Sequence, residues 1–336
     1  MSLLDDPARL EAFAADRRAS FPMQDMRRAF GATMLALAEE YPQLVAVTAD
    51  LTYATGMAPF AERHPRRLIN VGIAEQNMTG VAAGLAACGK LPVVCGYAAF
   101  TTLRAVEQAK VDCAYNGLRV ILVGQSAGLS YGVGGPTHQT FEDVAIMRAI
   151  PNMRVVSPSD AVELDRVLRA CCEGPEETPV YVRVGRGPEP VFNGPDHRIR
   201  IGEAVRLREG RDVLLVAHGA MVVEALIAAE ILAHAGIEAT VLNAHTIKPF
   251  DRDAIREAAS AVRAIVTAEE HGRIGGLGAA VLEATEDLPR GPLARIGIDD
   301  LYPPIGPAGA LRLHLGLSAE TIARVARDLL ARAAGA

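Results

Sequence analysis

The strongest constraint on this chain is an alternation that runs almost from end to end. Short apolar runs of β type are followed, again and again, by stretches with helical spacing. LVAVTAD (44–50) reads as a strand ending in a polar residue. TGVAAGLAACG reads as a helix, LPVVCGYAAF as a strand, TLRAVEQAKVDCAYN as a helix and RVILVGQ (119–125) as a strand. MRVVSPSD (153–160), AVELDRVLRACC and PVYVRVG (179–185) continue the series. Strands alternating with helices predict an α/β fold, a mostly parallel sheet with helices on both faces. The segment RGPEPVFNGPDH (186–197) holds three prolines and two glycines and reads as a linker. Beyond it a second α/β series begins: DVLLVAHG, MVVEALIAAEILAHAG, EATVLNAHTIKPF, RAIVTAEE and a helix from Gly278. A length of 336 residues accommodates two domains, expected at 1–192 and 193–336.

Composition narrows the partners. Charged residues are 22% and the formal net charge is -6, with no basic block, which argues against nucleic acid or an anionic membrane. Residues 78–103 form the most apolar stretch, long enough to raise the question of a membrane span. Gly89, Lys90, Leu91 and Pro92 divide it, so a buried helix followed by a buried strand is expected. The five cysteines form no C-x-x-C pair, the usage of a reducing compartment, and a cytoplasmic location is expected.

Ligands of parallel sheets gather beyond the carboxyl ends of the strands. The polar residues there are Asp50, Tyr97, Gln125, Arg183, His218, Glu269 and His271. Glu75, in INVGIAEQNM (69–78), opens a helix. A carboxylate in a first helical turn is ordinary, because it meets the helix dipole and free N–H groups. The run after Glu75 is not ordinary: Gly80, Ala82, Ala83, Gly84, Ala86 and Ala87 leave almost no side chain on any face. Such a helix permits very close approach by a neighbour. A carboxyl group entering a packed, low-dielectric site is favoured in its neutral, donating form.

The loop GLSYGVGGPTHQTFED (128–143) carries four glycines and then His138. It reads either as a solvated surface loop or as a phosphate cradle, though no G-x-x-x-x-G-K-[ST] is present. EEHGRIGGLGAA (269–280) lacks the third small residue of a dinucleotide fingerprint, because Val281 stands there, and reads as a sharp strand-to-helix turn. No G-x-S-x-G, no H-E-x-x-H and no clustered Cys/His set occurs, so no metal ligand is assigned to this chain.

The combination TADL (48–51), INVGIAEQNMTGVAAGLAACGKLPVVCGYAAF (69–100), RAVEQ (104–108) and GPTHQTFEDVAIMRAIPNMRVVSPSD (135–160) resembles the thiamine-diphosphate transketolase family. AEEHGRIGGLGAAV and IGIDDLYPPIG (296–306) extend the resemblance through the second half. G-D-G and the Asn pair of the family's diphosphate domain are not in this sequence. The resemblance therefore implies the carboxyl-terminal subunit of a split transketolase, a pyrimidine-binding domain followed by the C-terminal domain. It implies a partner chain that carries the diphosphate contacts and Mg²⁺, an α₂β₂ assembly, and transfer of a two-carbon ketol unit between sugars or sugar phosphates.

By the same resemblance Glu75 hydrogen-bonds a ring nitrogen of the aminopyrimidine and favours the tautomer that deprotonates the thiazolium carbon. Tyr97 and Phe100 stand against that ring, and Asp50 lies near the cofactor. His138 contacts substrate oxygens and assists proton movements, and Arg183 binds an acceptor phosphate. Two positions depart from the family pattern: Gly134 replaces an Asp that reads a sugar hydroxyl, and Ser126 falls where a phosphate-contacting His is expected. The sugar is thus expected to differ from the usual pentose phosphates. A 2-oxoacid dehydrogenase β subunit, a deoxyxylulose-phosphate-synthase-like enzyme and a catalytically silent scaffold subunit are the alternatives.

Overall fold

A computed structural model describes residues 3–174 and 178–334. Two sheets organise the molecule. The larger runs in the order Thr246–Lys248, Arg154–Val156, Val180–Val184, Ile121–Gln125, Leu91–Tyr97, Leu44–Thr48, Leu68–Asn70. All its neighbours are parallel except Thr246–Lys248, which pairs antiparallel with Arg154–Val156. The smaller runs Leu293–Ile298, Ala264–Gly272, Val213–Ala217, Ala239–Asn243, Val205–Arg208, with only the last strand antiparallel. This is the expected α/β architecture. Its central strands Leu44–Thr48, Leu91–Tyr97, Ile121–Gln125, Val180–Val184 and Val213–Ala217 are buried throughout. A strand covered on both faces has no side left for water, hence its unbroken apolar sequence.

The apolar stretch 78–103 divides as its glycine and proline require. The helix Glu75–Ala87 ends at Cys88, and Gly89 turns the chain at φ +78° into the strand Leu91–Tyr97. Aspartates start four other helices: Asp6 accepts from Arg9 N at 3.2 Å, Asp25 from Arg28 N at 2.9 Å, Asp160 from Glu163 N at 2.9 Å and Asp251 from Ala254 N at 3.0 Å. Each cap satisfies a backbone donor that would otherwise lack a partner, worth about 1 kcal/mol.

Two elements cross the expected limit between the halves. The helix Pro7–Ser20 packs on the second half: Leu10 and Ala14 join the core around Val222, Ala225 and Ile322. Arg18 Nη2 reaches Glu224 and Glu320 at 2.7 Å each. Thr246–Lys248 crosses the other way, into the larger sheet. One apolar core is shared outright, with Met147, Ile150 and Tyr181 packed among Leu214, Leu242 and Ile247. Each fully buried side chain of this kind contributes about 1.5–3 kcal/mol, so the halves are joined by their cores and not only by residues 186–197. The limits 1–192 and 193–336 stay a proposal, to which the first helix and Thr246–Lys248 are exceptions.

The stretch 102–116 departs from a regular helix. Only Val106–Gln108 has α geometry, and wide-turn π segments cover Phe100–Arg104 and Ala109–Tyr115. Ala105 N bonds Phe100 O at 3.2 Å, the five-residue spacing of such a turn. Insertions of this type collect at functional sites, and this one presents Phe100 and Arg104.

Candidate active site

The carboxyl end of Leu91–Tyr97 is where side chains converge. Four rings meet there. His138 lies edge-on to Phe100 (centroids 5.5 Å, 72°), to Tyr97 (6.1 Å, 69°) and to Tyr131 (5.3 Å, 90°). Tyr97 and Phe100 are 6.2 Å apart. The imidazole Nδ1 is 2.9 Å from Thr137 Oγ1, which leaves Nε2 for other partners. The loop reaches this place because it is tied back on itself: Gly128 and Thr140 exchange backbone bonds at 2.7 and 3.0 Å, and Gln139 Nε2 donates to Pro304 O at 2.9 Å. It is a packed loop, with Leu129, Gln139 and Thr140 buried.

Glu75 is the first residue of its helix and is only 2% exposed. Its neighbour is not an apolar wall. Arg104 Nη1 donates to Glu75 Oε2 at 2.8 Å, while the same guanidinium lies 4.6 Å from the centre of the Phe100 ring. A flat N–H donor thus rests on an aromatic face and points at a buried carboxylate. An aminopyrimidine needs those same two contacts, so the residues present fit that ring. Arg104 is half exposed.

The expected residues do not all gather here. Asp50 is exposed, at φ +61°, where its N–H and carboxylate both meet the side chain of Asn70 at 3.0 and 3.3 Å. Ser126 is buried at φ +59°. Gly134 sits inside the ring cluster: a Cβ there would lie 2.9 Å from His138 Cβ and 3.2 Å from Tyr131 Cδ1. The position is closed to any side chain while those two groups pack as they do.

Arg183 is held in a buried ion pair with Asp143 and is 5% exposed. Its Nε donates to Asp143 Oδ2 at 2.9 Å, and its Nη2 to Glu270 O at 2.8 Å and Thr140 O at 3.3 Å. A buried guanidinium needs this anion and these carbonyls, and it has little left for a phosphate. The cation that does face the rings is Arg186, three residues on. Its Nη1 donates to Tyr97 Oη at 2.8 Å, and its guanidinium carbon lies 4.2 Å from the Tyr131 ring centre. Reading 186–197 as a linker hid it. That segment is anchored through Glu189, which accepts from Arg312 at 2.6 and 3.0 Å. The only available signal was a cation placed just past the end of a central strand.

Of the remaining strand-end residues, Gln125 donates to Thr55 O at 2.9 Å, while His218, Glu269 and His271 belong to a second, buried polar group. Tyr181 Oη donates to Asp143 Oδ2 at 2.7 Å. Glu269 accepts from Leu277 N at 2.7 Å and Gly278 N at 2.9 Å, which makes EEHGRIGGLG the strand-to-helix turn its sequence suggested. His218 Nδ1 meets Ser157 Oγ at 2.9 Å. Glu163 is held by His197 at 3.1 Å, Asn243 at 2.8 Å and Ser159 at 2.6 Å. Burial alone would push the Glu163 and Glu269 carboxyls up, but their histidine neighbours and hydrogen bonds hold both below the ordinary range. Burial pushes His218 and His245 down.

Residues 22–189 match the transketolase pyrimidine-binding domain family, and residues 202–322 the transketolase C-terminal domain family. A 6-deoxy-6-sulfo-D-fructose transketolase subunit of Clostridium sp. (strain MSTE9) is 41% identical over 299 residues, covering 89% of this chain and 92% of that protein. An apulose-4-phosphate transketolase subunit of Phocaeicola vulgatus is 40% identical over 305 residues, covering 90% and 97%. A solved split-gene transketolase, described as an inactive β4 tetramer, superposes with a TM-score of 0.83 at 38% identity over 91% of this chain and 98% of its own.

Proposed function

The chain belongs to the transketolase family, and from that premise we propose that it is one subunit of a two-chain enzyme that moves a two-carbon ketol unit from a ketose to an aldose. The observation that carries the proposal is the buried Glu75 carboxylate facing a flat N–H donor that rests on Phe100. When bound, thiamine diphosphate supplies the acidic thiazolium carbon through which a ketose is cleaved. Glu75 would hold the aminopyrimidine by a ring nitrogen, in place of Arg104, and so fix its tautomer. Tyr97 and Phe100 would bound the ring. His138 Nε2 would meet substrate oxygens and carry protons, because Nδ1 is occupied by Thr137. Asp50 remains proposed near the cofactor, in a turn shaped by Asn70.

Metal and diphosphate contacts are proposed for a partner chain, in an α₂β₂ assembly. Support comes from the face beside Glu75. Among the described residues, a side chain at Gly84 would meet nothing within 4 Å beyond its own helix. Ile73, Leu103, Val111 and Tyr115 expose apolar surface on the segments around it. Contiguous exposed apolar groups mark interaction sites.

For the substrate, Arg186 replaces Arg183 as the proposed anchor of an anionic group. The relatives named above are a sulfofructose and an apulose-phosphate transketolase subunit, and both names describe anionic sugars. Gly134 and Ser126 support a sugar other than the usual pentose phosphates, because Gly134 offers no acceptor for a sugar hydroxyl and Ser126 no cation.

The test is co-expression with a chain that carries the diphosphate domain, followed by titration of thiamine diphosphate and Mg²⁺. Turnover should require both chains, and Glu75→Ala should abolish it. Turnover by this chain alone, or an unchanged Glu75→Ala enzyme, would refute the proposal. Pyruvate decarboxylation by the pair would point to the oxoacid or deoxyxylulose-phosphate chemistry. A strong preference for xylulose 5-phosphate and ribose 5-phosphate would remove the substrate reading.

A further inference from the structure

Arg186 differs from every other guanidinium near the cleft. Arg18 is paired with Glu224 and Glu320, Arg183 with Asp143, Arg312 with Glu189 and Glu270, and Arg104 with Glu75. Among the described residues Arg186 has no carboxylate, and its hydrogen bond goes to the Tyr97 hydroxyl. A long side chain with one neutral bond would ordinarily wander. The Tyr131 face at 4.2 Å holds this one, with the Tyr97 ring further off at 5.8 Å. A cation over an aromatic face gains about 0.5–2 kcal/mol, more as water is excluded.

Tyr131 is held in turn by its backbone. It leads into the tight turn Gly132–Gly134. A Cβ at Gly132 would stand 2.4 Å from both Gly306 O and Leu311 Cδ1, so the turn is pressed against the 304–311 segment. A Cβ at Gly134 would strike His138 and Tyr131 themselves. Ser130 Oγ donates to Ala127 O at 2.6 Å on the other side. One ring therefore touches both the unpaired cation and, at 5.3 Å edge-on, the imidazole.

We propose that Tyr131 is a positioning residue for substrate selection: its ring fixes Arg186 at a set place relative to His138, so that the site takes sugars ending in a tetrahedral oxyanion, a phosphate or a sulfonate. The inference deepens the transketolase reading and rests on it for the word substrate, but not for anion binding. It assigns the work to the ring and not to the hydroxyl.

The experiment is a ligand-observed NMR titration of the full chain with glycerol 3-phosphate, with 2,3-dihydroxypropane-1-sulfonate and with glycerol as the neutral control. Tyr131→Phe should bind both anions as the parent does. Tyr131→Leu should bind them about tenfold more weakly, and Tyr131→Met, closer in volume, should show the same loss if the Leu variant folds poorly. Glycerol binding should not respond. Arg186→Gln should lose the anions, and Tyr131→Leu added to it should cause no further loss, because the ring acts through the cation. A Phe variant as weak as the Leu variant, or additive losses in the double variant, would overturn the inference. Loss with one anion only would assign the site to that anion. Anion binding that follows this pattern in a pair that transfers no ketol unit would sink the enzyme reading and leave the Tyr131 inference intact.

Discussion

Arg183 and Arg186 are three residues apart at the end of one strand, yet they belong to regions with opposite logic. Around Arg183 every charge is buried and answered: Asp143 takes the guanidinium and the Tyr181 hydroxyl, and Glu270 and Thr140 supply carbonyls. Around Arg186 the groups are half-buried and the cation rests on rings with no anion beside it. Removing one member of a satisfied buried pair strands the other, whereas an unsatisfied, half-open cation is ready for a ligand. The first region joins the two sheets, and the second leaves a place to be filled.

The largest effect should come from the open region. Glu75→Ala should lower ketol transfer by the reconstituted pair by at least about a hundredfold, the scale of a lost proton-transfer group, with little change in the urea midpoint. A large fall in the urea midpoint would place Glu75 among the structural charges instead. Next, Arg183→Leu should destabilise the chain by roughly 3–5 kcal/mol in urea unfolding, because Asp143 is left buried and unpaired. Arg186→Leu should change stability by under about 1 kcal/mol. Similar losses in the two variants would break the comparison.

The closed region should also govern acid stability. His218 and His245 are held below their ordinary value of 6.5. Their contribution is complete above that pH and is lost as pH falls from 6.5 through their folded values. Glu163 and Glu269 lie below 4.5 when folded, so their contribution is present above 4.5 and is lost as pH falls further. Thermal unfolding should therefore shift downward in two stages below neutrality, and His245→Gln should flatten part of the first. A midpoint constant from pH 7 to pH 4 would contradict this. A further effect belongs to Arg104→Ala: its side chain is half exposed, but the Glu75 carboxylate that it answers is 3% exposed, so the loss should be about 1–3 kcal/mol. The cofactor concentration for half-activation should change with it.

Much of this was legible in the residues. The apolar runs showed the strands, and the Gly89–Pro92 break separated helix from strand. INVGIAEQNM and GPTHQ brought Glu75 and His138 forward, and the structure sets His138 against Tyr97 and Phe100 and pairs Glu75 with an arginine stacked on Phe100. Arg183 and Arg186 could not be ranked that way. Both are arginines at a strand end, and only depth within the sheet separates them. Tyr131 carried no signal, since its role depends on which ring faces it. The crossings of Pro7–Ser20 and Thr246–Lys248 were hidden for a related reason: periodicity shows that a face is apolar, not which core receives it.

The order of residues was enough to set the alternation of strands and helices, the breaks between them, and the carboxylate and imidazole of the proposed site. Those features are local, or repeat at the period of a helix or strand, so a single segment carries them. The assembled fold was needed to choose which cation meets the rings, which carboxylates are answered by histidine or arginine, and that Arg104 rests between Glu75 and Phe100. Those outcomes depend on distances between segments far apart in the chain, and a guanidinium's partner is chosen by what lies within a few ångströms of its own end.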